Sequence, residues 1–263
     1  NTLNVGKVWD AMVDIVVEQC EQDGLEPMSI NPVVGECNDS RINQIQKRVV
    51  GADEVRQAFA SASEEFEEGD VGAGAGTICY GLKGGIGSAS RVIRIGEKEY
   101  TIGVLVQSNF GATEDFVLNG ESVGAKILDW KQEKDDMAAS EEDKGSIMSI
   151  LATDLPLTSR QLRRILRRTG VGIARTGGYT GHGSGEVMIG FTTANRIPSG
   201  AEEELLQIQA IPEHVINRAF LAAAEAEQEA ILNSMTAAER TRGQAGELYY
   251  SLSEYLEDQD SKQ

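Results

Sequence analysis

Histidine is nearly absent: His182 and His214 are the only two in 263 residues. Neither has a partner histidine at ligand spacing, which argues against a metal centre, and their scarcity leaves little room for a Ser-His-Asp relay. Cysteine is almost as scarce. Cys20, Cys37 and Cys79 are odd in number, widely separated and without zinc-ligand spacing. Neither a disulfide framework nor a zinc site is therefore expected, and the three read as small core residues. Positive charge is also in deficit: 24 Lys and Arg against 42 Asp and Glu give a formal net charge of -18. That balance favours solubility and repels both nucleic acid and anionic membrane. No apolar run approaches the length of a bilayer span, and no basic-apolar-small signal opens the chain. The first residue is Asn1, so a longer gene product with a leader is compatible with the sequence. The compartment stays open, with the cytoplasm favoured over periplasm or export.

What is present is enough apolar residue, 40% of the chain, to bury a sizeable core in one large domain or two small ones. Val8, Met12, Ile15 and Val16 recur at helical spacing and predict an opening helix that ends at Gly24. A second helix is predicted over Ala52 to Glu68. The glycine-rich stretch from Gly72 to Ser90 reads as strand ends and tight turns. Arg91 to Ile95 and Tyr100 to Phe110 predict two strands of a hairpin, closed by Gly96 to Glu99. Ser146 to Ala152 predicts a third strand, followed by a helix capped at Thr158 or Ser159 and ending near Gly170. Glu186 to Thr193 predicts another strand, with Val187, Ile189 and Phe191 on one face. An alanine-rich helix is expected from Pro212 to Ser234, with Ile216, Phe220, Ala224 and Ile231 turned inward, and a fraying acidic tail beyond Thr236. Helices and strands are interspersed with an antiparallel hairpin, so helix layered on sheet is the expected outcome.

Two motifs invite a ligand. Gly84-Gly85-Ile86-Gly87-Ser88 suggests a phosphate cradle, yet it lacks both the G-x-G-x-x-G order and the GK[ST] ending of a P-loop. Arg160, Arg163, Arg164, Arg167 and Arg168 outline one side of a helix, opposite Leu162, Ile165 and Leu166; a solvated face and an anion site are the two readings.

The chemistry-bearing feature is Gly145-Ser146, which lies between a charged segment and the apolar run Ile147 to Ala152. Residues Lys131 to Lys144 hold nine charges in fourteen and are expected to be solvated and mobile. A break at the junction would give Ser146 a hydroxyl nucleophile and an α-amine, whose reference pKa of roughly 7.7 to 8.0 suits a base working near neutrality. Gly145, without a Cβ, is expected to allow the strained carbonyl geometry that attack requires. A charged linker before an ordinary buried strand is the alternative reading.

Six segments occur in order: NTLNVGKVWDA at 1 to 11, PVVGECNDSRIN at 32 to 43, GLKGGIGSASR at 81 to 91, IGVLVQSNFG at 102 to 111, GSIMSILATDLPL at 145 to 157 and SGEVMIGFTTANR at 184 to 196. Together they resemble the DmpA-type aminopeptidases, which include the β-peptidyl aminopeptidases and are also called L-aminopeptidase/D-esterases. The resemblance runs from residue 1 to about 235. It implies an α+β fold, an αββα sandwich of the type shared with the ornithine acetyltransferases. It also implies self-cleavage before a serine that becomes the N-terminal nucleophile of the smaller subunit.

By resemblance, then, Gly145 and Ser146 form the junction, and residues 1–145 and 146–263 are the larger and smaller subunits of one structural domain. Ser184 and Glu186 match the family's second serine and its glutamate; two positions apart, they would face the same way on an extended segment. Asn109 matches the oxyanion-hole asparagine. From residues alone, Asn109 before Phe-Gly also reads as a turn residue, and Ser184-Gly185-Glu186 as a loop entering a strand. The implied activity is removal of N-terminal residues from short peptides, amides or esters through an acyl-enzyme on Ser146, with no cofactor. Acyl transfer of the ornithine-acetyltransferase type and a noncatalytic remnant or binding protein are the alternatives. Relatives assemble as several αβ pairs, so a homo-oligomer is expected. Two departures stand out. The family's portion before the NT-x-NVG segment, with sheet strands and part of the pocket, is missing from this chain. Asn38 stands where some relatives have a tyrosine near the site, a role not transferable to Tyr80.

Overall fold

The structure, a computed structural model, describes residues 1–134, 145–197 and 204–262. The chain opens with α1 (Val5–Gln22) and α2 (Ala52–Ala60), then runs through the short strands β1 (Ile78–Cys79) and β2 (Leu82–Lys83). The long strands β3 (Ile86–Ile95) and β4 (Lys98–Asn109), the ribbon β5 (Val117–Leu118) and β6 (Glu121–Ser122), and α3 (Gly124–Glu133) follow. Then come β7 (Ser146–Thr153), α4 (Ser159–Leu166), α5 (Thr169–Arg175), β8 (Gly185–Thr192) and α6 (Asn217–Thr236). A second ribbon, β9 (Thr241–Arg242) and β10 (Leu248–Tyr249), leads into α7 (Leu252–Ser261).

The central sheet has the order β3-β4-β7-β8. The predicted hairpin is its antiparallel start, closed by the pair Ile95 and Lys98 around the two-residue turn Gly96-Glu97. β7 pairs antiparallel with β4, and β8 returns parallel to β7 after the crossover through α4 and α5. Alternation sends Ile102, Val104, Val106, Ile147 and Leu151 to one face, where they are buried with Ala219, Ala222, Ala223, Ala226, Ala230 and Ile231 of α6. Those alanines are the reason α6 lies so close to the sheet: at Gly87 of β3 an added Cβ would come 2.0 Å from the Ala230 carbonyl oxygen. α6 is tied across β3 by Asn233 Nδ2, which donates to the Ser88 carbonyl at 2.8 Å, and by Arg91, which pairs with Glu225 and Glu229.

The other face of the sheet is open and apolar away from the junction, while near Ser146 Gly35 and Cys37 pack over Met148 and Gln107. Val187, Ile189 and Phe191 do share a face, as predicted, and it is this one; Val187 is 47% and Phe191 50% exposed, and Val92 on β3 at the opposite edge of the sheet is 62% exposed. Among the described residues, then, the helix and sheet layers of one side of the sandwich are present, and no second extended sheet stacks on the first.

Several boundaries differ from the sequence reading. α2 stops at Ala60 instead of reaching Glu68. Continuing it would bring Glu64, Glu65, Glu67 and Glu68 together at a helix C-terminus, where like charges and the macrodipole both oppose them. The helix after Thr158 breaks at Leu166 and restarts at Thr169, whose hydroxyl donates back to the Leu166 carbonyl at 2.9 Å. The arginine stripe is more than a solvated face: Arg160 and Arg164 bond Glu213, and Arg164 and Arg168 lie 5.2 and 4.0 Å from the Phe220 ring centre. Phe220 accordingly packs at the edge of the core, while Ala224 and Ile231 are buried. Beyond Thr236 the tail is ordered. Ser251 and Glu254 form a capping box that starts α7, and Tyr255 packs edge-on against Trp130 at 5.4 Å. Of the charged segment before the junction, residues 135–144 lie outside the described residues. Lys131 is no solvated linker residue: it lies buried in the last turn of α3, with Nζ donating to the Gly81 carbonyl at 3.0 Å.

Candidate active site

Three strand ends meet at one point. Asn109 is the last residue of β4, Ser146 the first of β7 and Gly185 the first of β8; in the sheet register Ser146 faces Asn109 on one side and Gly185 on the other. The Gly145 carbonyl oxygen accepts the Gly185 N–H at 3.0 Å. Gly145 is needed for space rather than for unusual backbone angles. It is not among the residues with positive φ, but a Cβ there would sit 2.0 Å from the Asn109 carbonyl oxygen and 2.6 Å from Phe110 Cα. The expectation of a glycine that supplies strained geometry is thus replaced by one that lets two backbones touch.

Asn109 is 8% exposed and held from both ends of its amide. Its Oδ1 accepts the Ile78 N–H at 3.0 Å, and its Nδ2 donates to the Asn38 carbonyl at 3.3 Å, which leaves a second amide hydrogen. Ile78 is itself fixed from below. Lys83 Nζ donates to the carbonyls of Gly74 at 2.7 Å, Thr77 at 3.1 Å and Gly84 at 2.7 Å, filling the bend of the glycine-rich stretch with its own ammonium. Burial pulls that ammonium down to about 8. The space a phosphate would need is therefore occupied by this side chain and by the close approach of α6.

Ser184 and Glu186 are brought together, as two residues of like orientation flanking Gly185, and the Ser184 hydroxyl donates to Glu186 Oε1. Glu186 is the register partner of Ile147, not of Ser146. Alternation therefore puts the Glu186 side chain on the helix-covered face and that of Ser146 on the open face with Asn109. The pair stands one position from the junction on the neighbouring strand. Asn38, where some relatives are expected to have tyrosine, is exposed and turns its Oδ1 to the Ser40 N–H at 3.0 Å. Tyr80 belongs to the core, stacked on Phe116 with its hydroxyl 2.9 Å from Thr176 Oγ1.

The sequence reading missed Cys37 as a site residue. It is buried as expected, but its Sγ lies 3.6 Å from the carbonyl oxygens of both Gln107 and Ser146. Burial pushes its thiol up to about 11, with the Ser146 side chain and the Met148 amide partly opposing the shift. Cys37 is therefore a neutral wall of the site and no rival nucleophile at pH 7. The only sequence signal was its place inside PVVGECNDS. Beneath β7, Ser149 Oγ donates to Glu227 Oε2 at 2.6 Å, and burial raises the Glu227 carboxyl to about 7.

A sequence model of peptidase family S58 matches residues 1–249. The chain belongs to peptidase family S58. Among curated relatives, two proteins named beta-peptidyl aminopeptidase BapA are similar: that of Sphingosinicella xenopeptidilytica is 36% identical over 92% of this chain and 62% of its own length. That of Sphingosinicella microcystinivorans is 34% identical over 94% of this chain and 63% of its own. The chain thus spans less than two thirds of the length of the curated relatives it matches. Two solved structures each align with 98% of this chain and 70% of their own. The PH0078 protein from Pyrococcus horikoshii OT3 has 44% identity and a TM-score of 0.87. The L-aminopeptidase D-Ala-esterase/amidase from Ochrobactrum anthropi, described as a prototype for the serine aminopeptidases and a variant of the Ntn hydrolase fold, has 33% identity and a TM-score of 0.86. This S58 chain has the α+β Ntn-hydrolase fold of those neighbours.

Proposed function

We propose that this S58 member cuts itself between Gly145 and Ser146 and then acts as a serine aminopeptidase or amidase on short peptides, amino-acid amides or esters. The single observation that carries this reading is the convergence of Asn109, Ser146 and Gly185 at adjoining strand ends, with the junction carbonyl held in the sheet. Ser146 Oγ attacks the substrate carbonyl. The released α-amine, with Ser184 and Glu186 one position away on β8, manages the proton. The spare hydrogen of the Asn109 amide donates to the developing oxyanion, and water then releases the acyl group. A substrate carries a free amino group, attracted by the net negative field. The names of the curated relatives place β-peptidyl substrates among those to be tried.

Residues 1–145 and 146–263 become two subunits of one domain, held by the β4–β7 ladder that joins them, and several such pairs assemble as a homo-oligomer. The test is intact mass of the purified full-length protein under denaturing conditions. Two fragments divided at 145/146 are expected, together with hydrolysis of an amino-acid amide, and a single uncut mass for Ser146→Ala. A wild-type chain that stays uncut yet hydrolyses the amide overturns the reading.

A further inference from the structure

In the uncut chain the atom that must accept charge during self-scission is the Gly145 carbonyl oxygen, and it already has a donor. Gly185 N–H points at it from 3.0 Å, as the first rung of the parallel β7–β8 ladder. The side chain of Asn109 uses Oδ1 on the Ile78 N–H and one Nδ2 hydrogen on the Asn38 carbonyl, and its remaining hydrogen is the one assigned above to substrate turnover. What Asn109 presents to Gly145 is its own backbone oxygen, an acceptor, packed so tightly that no Cβ fits between them. We propose that the main-chain N–H of Gly185 is the oxyanion donor for scission of the Gly145–Ser146 bond, distinct from the Asn109 amide that serves substrate turnover. The assignment rests on the self-processing reading above.

The step balances without an outside reagent other than water. The Ser146 Oγ lone pair forms a bond to the Gly145 carbonyl carbon, and the carbonyl π electrons move onto its oxygen, where Gly185 N–H holds them. Collapse restores the carbonyl and breaks the C–N bond. The proton lost from Oγ ends on the departing Ser146 nitrogen, leaving Gly145 esterified to Oγ. Water then hydrolyses the ester, giving a Gly145 carboxylate, a free hydroxyl and the α-amine. A donor fixed by a sheet ladder does not reorganise as charge develops, which is the condition under which such groups act most strongly.

The test removes this one hydrogen. In the full-length chain, Gly185 is replaced by glycolic acid, which exchanges the backbone N–H for an ester oxygen and alters no side chain. The control is the same ester exchange at Thr193, whose N–H donates to the Thr153 carbonyl at 2.9 Å at the far end of the same pair of strands. Scission followed by mass is expected to slow about 100-fold in the ester variant, with circular dichroism and thermal midpoint matching the uncut Ser146→Ala chain. The Thr193 ester variant is expected to cut close to the wild-type rate. A folded ester variant that cuts within a few-fold of wild type overturns the assignment while leaving self-processing intact. A wild-type chain that never cuts overturns self-processing and this donor with it. If the ester variant does not fold, the infrared stretch of 13C-labelled Gly145 carbonyl in Ser146→Ala decides: a shift to lower frequency than a solvent-exposed glycine carbonyl supports the donor, and a higher frequency overturns it.

Discussion

Gly145 shows how a single missing atom constrains a site. With Asn109 O 2.0 Å from where a Cβ would be, Gly145→Ala must push β7 away from β4 or tilt the junction carbonyl off Gly185. The expected outcome is scission slowed by at least about 10-fold in a chain that still folds, measured as the fraction uncut against time on a denaturing gel. For turnover, Asn109→Ala is expected to lower kcat by about 100-fold with a smaller change in KM, read from steady-state hydrolysis of an amino-acid amide by the processed enzyme. An equal loss confined to KM would assign the amide to substrate binding instead. Ser146, Asn109 and the Ser184–Glu186 pair could be nominated as candidates because they stand in long segments that resemble a family. Cys37 was not. A thiol's burial against two carbonyls from strands about 70 and 109 positions away is a tertiary fact with no local pattern.

At the scale of elements, the α6–β7 contact contains a carboxyl with no cation. Glu227 is fully buried, one oxygen accepts Ser149 Oγ, and the other has no partner among the described residues. Its carboxyl is raised from 4.5 to about 7, with burial first and the Ser149 bond opposing. The folded state therefore holds a proton that the unfolded state has released between pH 4.5 and about 7. Its contribution is fully present below that window and is lost as pH rises through it, an effect of about 3 kcal/mol. Glu227→Gln is expected to flatten this part of the profile, gaining stability over wild type at pH 8 and little at pH 4.5, by urea unfolding at each pH. Lys83 is the counterpart in the β1–β2 bend. Lys83→Met takes a donor from three buried carbonyls; that of Gly74 keeps Thr77 Oγ1 and that of Thr77 keeps the Gly84 N–H, so the loss falls on Gly84 and is expected to cost about 2 kcal/mol by the same measurement. Helices and strands with clear periodicity were readable, including the hairpin. Misplaced ends came from short-range competition, such as Thr169 bonding back to Leu166. The ordered tail was hidden by its acidity, although Ser251 and Glu254 carried a capping-box spacing.

For the molecule as a whole, the sheet crosses the junction. β3 and β4 precede it, β7 and β8 follow it, and α6 from the later part covers both. The two pieces are therefore expected to co-elute as one species in size-exclusion chromatography under native conditions and to separate only in denaturant; early separation would contradict the shared core. The open apolar face was only half readable. Alternation in β8 predicted which residues lie together, but which side a helix covers is decided by partners remote in sequence.

The Asn109 and Ser146 pairing closes an eight-pair ladder in which every rung joins a residue before the Gly145–Ser146 bond to one after it, and none involves Gly145. Cutting thus alters connectivity and leaves strand neighbours unchanged. It follows that two genes, one ending at residue 145 and one translated as a protease-trimmed chain beginning at 146, should reassemble the same sheet in one cell, making covalent continuity a feature of biosynthesis rather than of the finished architecture.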